Sequence, residues 1–156
     1  MPEIRPVTRA NWRELIKLTV REDQKHFVAS NLYSIAQAQF GFDDDNGSHW
    51  ETYACGIYTD DDAPVGFLMY GYSFPSSNLQ AFIFRLMVDE KCQGMGYGRF
   101  GMNWMLERFR EDDRIKDVGI SYEPDNEAGR KLYASLGFVE TGEMLGEEVL
   151  AVLHLK

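Results

Sequence analysis

Short apolar runs bounded by Gly, Pro, Asn and Asp divide this chain into strand-sized and helix-sized pieces. Residues 3–7 predict a first strand. Thr8 opens a capping pattern, after which Trp12, Leu15 and Ile16 make the apolar face of a first helix. Residues 24–31 read as a helical turn or loop, 34–40 as helix, and 41–47 as an aspartate-rich loop. Runs at 53–59 and 64–72 predict a hairpin around the turn Asp60-Asp61-Asp62-Ala63. Pro75-Ser76-Ser77-Asn78 turns the chain into a strand at 81–88. A glycine-rich turn follows, then helix 98–110, strand 118–122, helix 126–136, strand 138–141 and a last strand at 149–155.

A chain of 156 residues with this pattern fits one domain, residues 1–156. Its apolar runs are strand-sized and interrupted, which predicts no membrane span. The start Met1-Pro2-Glu3-Ile4-Arg5 lacks the basic and apolar pattern of a secretory signal. Cys55 and Cys92 show neither C-x-x-C nor metal-ligand spacing, so two reduced thiols in a cytoplasmic protein are expected, with no metal. Cys92 stands beside the glycine-rich turn, where a small buried filler is the expected role.

The net charge of −9 argues against a general nucleic-acid binder. Its distribution says more. Residues 22–62 hold nine acids (Glu22, Asp23, Asp43, Asp44, Asp45, Glu51, Asp60, Asp61 and Asp62) against one base, Lys25. The half with the glycine-rich turn is nearly balanced and carries Lys91, Arg99, Arg130 and Lys131. An acidic cleft would concentrate a cationic partner. Aspartate clusters are also ordinary turn residues.

The glycine-rich turn reads Gln93-Gly94-Met95-Gly96-Tyr97-Gly98-Arg99, between an apolar strand and a helix. Glycine lets a ligand approach the backbone, and the first-turn amides of a helix have no partners within it. Such a turn predicts a pocket for anionic oxygen, most simply a pyrophosphate. Gly96-x-Gly98-x-x-Gly101 is a literal dinucleotide fingerprint, yet it lies past mid-chain instead of opening a βαβ unit. The next strand run ends in Glu123 and Pro124. No Lys-Ser or Lys-Thr follows the glycines, which excludes a P-loop.

A second stretch runs Asn126-Glu127-Ala128-Gly129-Arg130-Lys131-Leu132-Tyr133-Ala134-Ser135-Leu136-Gly137-Phe138. Asn126 is a natural N-cap and Gly137 a natural C-terminal stop, with Leu132 and Leu136 four apart on one face. Gly129 within the helix costs up to about 1 kcal/mol relative to Ala. Paired with Gln93-x-x-Gly96-x-Gly98, this stretch resembles the GNAT superfamily of acetyl-CoA-dependent N-acetyltransferases over about residues 64–141. The resemblance implies an α/β fold: a twisted mixed sheet of six to seven strands, helices on both faces, splayed between the strands at 81–88 and 118–122.

It also implies a site. The pantetheine arm of acetyl-CoA would pair with Leu86, Met87 and Val88, the Met87 amide meeting the thioester oxygen. The pyrophosphate would rest on Gly94, Met95, Gly96, Tyr97, Gly98 and Arg99, with Gln93 closing the loop and Lys131 nearby. Asn126 would bond the amide arm. Tyr133 would be the general acid for the leaving thiolate, because a phenol near pKa 10 can protonate a sulfur near 8.5. The amine would attack directly in a ternary complex. A base is less legible: Arg85 occupies the outward part of its strand, leaving Glu22 first, with Asp23 and Glu51 beside it on the substrate side.

The segment 18–38, with Val20, Gln24, Phe27, Val28, Ala29 and Asn31, resembles the bacterial spermine/spermidine acetyltransferase branch. A polyamine or other small cationic amine is therefore the expected acceptor. An aminoglycoside, a peptide N-terminus, a protein lysine, and a non-catalytic CoA-binding sensor are the alternatives. Neither nucleic acid nor membrane is expected as a partner; family members often pair through their sheets, which leaves a homodimer open.

Overall fold

The computed structural model describes residues 1–74 and 78–156, so most of the expected turn at 75–78 lies outside the described residues. The elements run β1 (Glu3–Pro6), α1 (Trp12–Leu15), a 3-10 segment (Glu22–Phe27), α2 (Asn31–Phe40), β2 (Phe42–Asp43), β3 (His49–Tyr58) and β4 (Pro64–Tyr72). Then come β5 (Ala81–Val88), a short 3-10 turn (Glu90–Cys92), α3 (Tyr97–Glu111), β6 (Asp117–Tyr122), α4 (Glu127–Ser135), β7 (Val139–Leu145) and β8 (Glu148–His154). The sheet order is β1-β3-β4-β5-β6-β8-β7, with β2 pairing on β3. Among the described residues there are thus eight strands, because Phe42–Asp43 adds a two-residue strand inside the predicted loop. No helix among them is long and apolar enough to cross a membrane.

Side-chain alternation along β4 sorts the two faces. Leu68 and Tyr70 pack with Met102, Met105 and Phe109 of α3 and with Tyr133 of α4. Phe67 and Met69 point the other way, into a cluster with Val20, Met87, Val28 and Ile35. Gly101 lets α3 sit close on the sheet: a Cβ there would come within 3.2 Å of Ile57 and Leu86. That explains the third glycine of the false dinucleotide match as a helix–sheet contact.

The sheet opens where the site lies. β5 and β6 are parallel and share only the rungs Ala81–Val118, Phe82–Gly119 and Ile83–Ile120. On the other side of β5, Met69 pairs with Arg85 and Tyr70 with Ile83, leaving Phe84 as an extra residue. A bulge bends its strand and increases local twist. Here it falls one residue past the last β5–β6 rung, so β5 leaves β6 while β6 continues against β8 as far as Tyr122–Val149. The expected splay has a local cause.

Candidate active site

A cavity of about 1020 Å³ fills the fork and reaches both faces of the sheet. That is the upper end of small-molecule sites, enough for a long ligand and a second reactant. Its walls come from β5, the 93–98 turn, the start of α4, the end of β6, the 3-10 segment and the first residue of β8.

The glycine turn forms one end. Gly94 has φ +79° and Gly96 φ +91°, values that L side chains avoid. A Cβ at either would meet nothing within 4 Å, so both face open space. Gly96 caps α3 without a side chain, leaving the first-turn amides available. A cradle of this shape fits a pyrophosphate.

Gln93 locks the turn to its surroundings. Its Nε2 donates to the Val88 carbonyl at 3.1 Å and to Gln24 Oε1 at 2.9 Å, while its Oε1 accepts from Arg21 Nη1 at 2.9 Å. The opposite lip is tied to the 3-10 segment by His26 Nε2 and Asp125 Oδ2 at 3.1 Å.

At the head of α4, Asn126 Oδ1 accepts from the Gly129 amide at 3.0 Å. A Cβ on Gly129 would come within 2.7 Å of the Asn126 amide, so this glycine makes room for the cap. Two turns on, Tyr133 lines the cavity from the α3–α4 side, packed beside Tyr122 and Phe138. Burial pushes its phenol up to about 12, with smaller contributions from Tyr122 and Glu148. Its hydroxyl has no hydrogen-bond partner among the described residues.

Across the sheet, the cavity wall is aromatic and polar. Phe42, Phe82 and Phe84 cluster there, Phe84 lying 5.1 Å from Phe42 and 4.9 Å from Phe82 between ring centres. Arg85 is half-buried beside them. It donates to Ser34 Oγ at 3.2 Å, Gln37 Oε1 at 3.1 Å and the Phe84 carbonyl at 2.9 Å, all uncharged acceptors. Burial holds its guanidinium below the ordinary value, and the Glu148 carboxylate partly offsets this. Ser121 Oγ donates to Glu148 Oε1 at 2.8 Å.

The structure brings together Leu86, Met87, Val88, Gln93, Gly94, Gly96, Tyr97, Gly98, Asn126 and Tyr133 around this cavity. Met95, Arg99 and Lys131 lie outside its wall: Met95 is exposed, Arg99 bonds Ser135 Oγ at 3.0 Å, and Lys131 faces outward on α4. Cys92 is half-buried and lines the cavity.

The expected acidic cleft is not where the sequence suggested. Glu22 is exposed and pairs with Lys25 at 2.7 Å, Asp23 pairs with Arg21 at 3.4 Å, and Glu51 is exposed on β3. None of the nine acids of 22–62 lines the cavity. Asp44 instead holds its own loop by accepting from Trp50 Nε1, foremost, and from the amides of Ser48 and Asn46, which lower its pKa. Among the described residues, the cavity's one carboxylate is Glu148. Sequence reading missed it, and the only available signal was its place at the start of the last strand.

Comparison with known proteins agrees with this geometry. A profile of the acetyltransferase (GNAT) family matches residues 11–138. A spermine/spermidine N(1)-acetyltransferase of Bacillus subtilis (strain 168) is 27% identical over 153 residues, 94% of this chain and 95% of that protein. Many solved structures share the fold, two acetyltransferases among them. Spermidine N-acetyltransferase from Vibrio cholerae, solved with CoA and spermine, has TM-score 0.71 at 13% identity, covering 99% of this chain and 95% of that one. An aminoglycoside acetyltransferase solved with coenzyme A has TM-score 0.73 at 13% identity, with the same coverage.

Proposed function

Because this chain belongs to the GNAT family of acetyltransferases, we propose that it moves the acetyl group of acetyl-CoA onto a primary amine of a small cationic acceptor, with a polyamine as the leading class. The carrying observation is one cavity that joins a glycine cradle to a buried phenol through the β5–β6 fork. A cavity open to both faces supports direct attack in a ternary complex. The similarity to a polyamine acetyltransferase over nearly the whole chain supports the acceptor class.

In this reading the amides of residues 94–99 hold the pyrophosphate and the free edge of Leu86, Met87 and Val88 takes the pantetheine arm. The Met87 N–H, expected to meet the thioester oxygen, faces β4, because the Asp89 amide two residues on bonds the Val65 carbonyl. The amides of Leu86 and Val88 face the fork, and these stabilise the oxyanion, where a positioned donor counts most. Asn126 bonds the amide arm, and Lys131 and Arg99 contribute long-range positive charge. Tyr133 points its hydroxyl at the sulfur. A phenol near 12 stays neutral at any working pH and is always a donor. It is too weak to leave its proton on a thiolate near 8.5. Its role is therefore to hydrogen-bond the departing sulfur and relay a proton that originates on nitrogen.

The aromatic wall of Phe42, Phe82 and Phe84 suits an alkyl ammonium chain. Arg85 favours a second reading: a half-buried guanidinium that hydrogen-bonds only uncharged acceptors among the described residues suits an amine that also carries an anionic group. Free-thiol release from acetyl-CoA across an amine panel, with product mass, tests both. Polyamine turnover supports the first reading and turnover confined to amino-acid-like amines supports the second. Thermal stabilisation by CoA with no thiol release from any amine replaces both with a CoA sensor.

A further inference from the structure

We propose that Glu148, held by Ser121, is the carboxylate that receives the acceptor's ammonium and removes its proton. This rests on the acetyl-transfer reading above and assigns a role that Glu22 was expected to fill.

The argument is geometric. Ser121 is the first β6 residue past the last β5–β6 rung, so it stands in the open fork. It pairs with Leu150 on β8, and Glu148 lies two residues earlier on that strand, on the same face. Leu150 belongs to the cluster of Phe82 and Trp50, whereas Tyr122 and Tyr133 belong to the cluster on the opposite face. Glu148 and Tyr133 therefore approach the fork from opposite sides of the sheet. That is the arrangement a transfer reaction needs, with the amine entering on one side of the thioester and the sulfur leaving on the other.

Glu148 is the cavity's one carboxylate among the described residues, and no ion pair occupies it there. One oxygen accepts from Ser121 Oγ, which leaves acceptor capacity on the other. The titratable and charged groups around it are Arg85 from β5, Tyr122 from β6 and Tyr133 from α4. Tyr33 of α2 acts on Arg85, Arg130 and Glu140 flank Tyr122, and Arg21 and His26 stand on the cavity's outer wall.

The ammonium gives one proton to Glu148, and the freed lone pair forms the N–C bond to the thioester carbon. The C–S bond then breaks with its electron pair on sulfur. The second nitrogen proton leaves as the amide forms and reaches sulfur through Tyr133. The products are amide and thiol, and Glu148 releases its proton to water.

The test compares wild type with Glu148→Gln at saturating acetyl-CoA, using two nucleophiles. One is spermidine, or the fastest amine of the panel if spermidine is rejected. The other is hydroxylamine, which is uncharged at neutral pH and needs no base. The expected result is a loss of about 100-fold or more in kcat/KM for the ammonium substrate. Hydroxylamine turnover and thermal stabilisation by acetyl-CoA stay near wild type. Equal losses with both nucleophiles, or no loss with either, overturn the proposal while leaving acetyl transfer intact. A wild-type protein that releases no thiol with any nucleophile overturns the acetyl-transfer reading itself. Ser121 is a positioning residue: Ser121→Ala removes the bond that aims the carboxylate, so kcat/KM for the ammonium substrate falls while hydroxylamine turnover is kept, and Ser121→Thr restores it. Equal losses with both nucleophiles, or no rescue by threonine, remove Ser121 from this role.

Discussion

The side-chain amide of Gln93 donates to the backbone carbonyl of Val88 at 3.1 Å, so the glycine turn and the end of the open strand are held by one residue. The same amide bonds Gln24 and Arg21, which tie in the 3-10 segment. Gln93→Ala leaves several of these groups unpartnered, a cost of about 1–3 kcal/mol. The melting temperature should fall by roughly 2–10 °C, and CoA affinity should drop with it. A melting curve and a CoA titration check both, and unchanged values would remove the clamp.

Gly96 separates binding from folding. At φ +91° a side chain costs about 1–2 kcal/mol, yet nothing lies within 4 Å of the added Cβ. Gly96→Val should therefore still fold, with a lower melting temperature, and should lose CoA binding in calorimetry. A folded variant with wild-type CoA affinity would show that the phosphates sit elsewhere.

Tyr133→Phe removes a hydroxyl without a protein partner among the described residues, so stability and acetyl-CoA affinity should change little. Turnover should fall by about one to three orders of magnitude. Steady-state kinetics beside a CoA titration check this. A fall in affinity with turnover preserved would recast Tyr133 as packing.

Much of this was readable in advance, and the reason is locality. The strand at 81–88, the Asn126 cap and the stop at Gly137 depend on residues a few positions apart, and β5, α4 and Gly137 (φ +101°) all match. The 93–99 turn was legible because glycine is the favoured residue at the positive φ of positions 94 and 96. Glu148 was not, because its meeting with Ser121 depends on β6–β8 register across 27 residues. The acids of 22–62 misled for the same reason. Composition placed them on the chain, and tertiary structure spent them on loops and surface pairs such as Glu22–Lys25.

Alkaline stability follows from buried phenols. Burial pushes Tyr58, Tyr70 and Tyr133 up to about 12 each, above an unfolded value near 10. A raised value gives stability that is full below pH 10 and is lost as pH climbs through 12. Denaturant melts between pH 8 and 11.5 should show a plateau and then a decline. The alkaline limb of activity below pH 10 should survive in Tyr133→Phe, since Tyr133 does not titrate there. Loss of that limb in the variant would contradict a neutral phenol.

Arg85 decides between acceptor classes. If the acceptor is a polycation, Arg85→Gln removes a repulsive charge and should lower the spermidine KM several-fold, by about 1 kcal/mol of interaction. If the acceptor carries an anion, the same change should raise its KM by tenfold or more, roughly the loss of a charge-assisted pair. Initial rates over a concentration series give the answer, and an unmoved KM for every accepted amine would make Arg85 a tie between β5 and α2 alone.

The most direct measurement is a crystal structure of the protein with acetyl-CoA bound. The account predicts the pyrophosphate on the amides of residues 94–99, the arm against residues 86–88, and the sulfur within hydrogen-bond reach of the Tyr133 hydroxyl. Acetyl-CoA lying outside the β5–β6 fork, or its sulfur turned away from Tyr133, would contradict it.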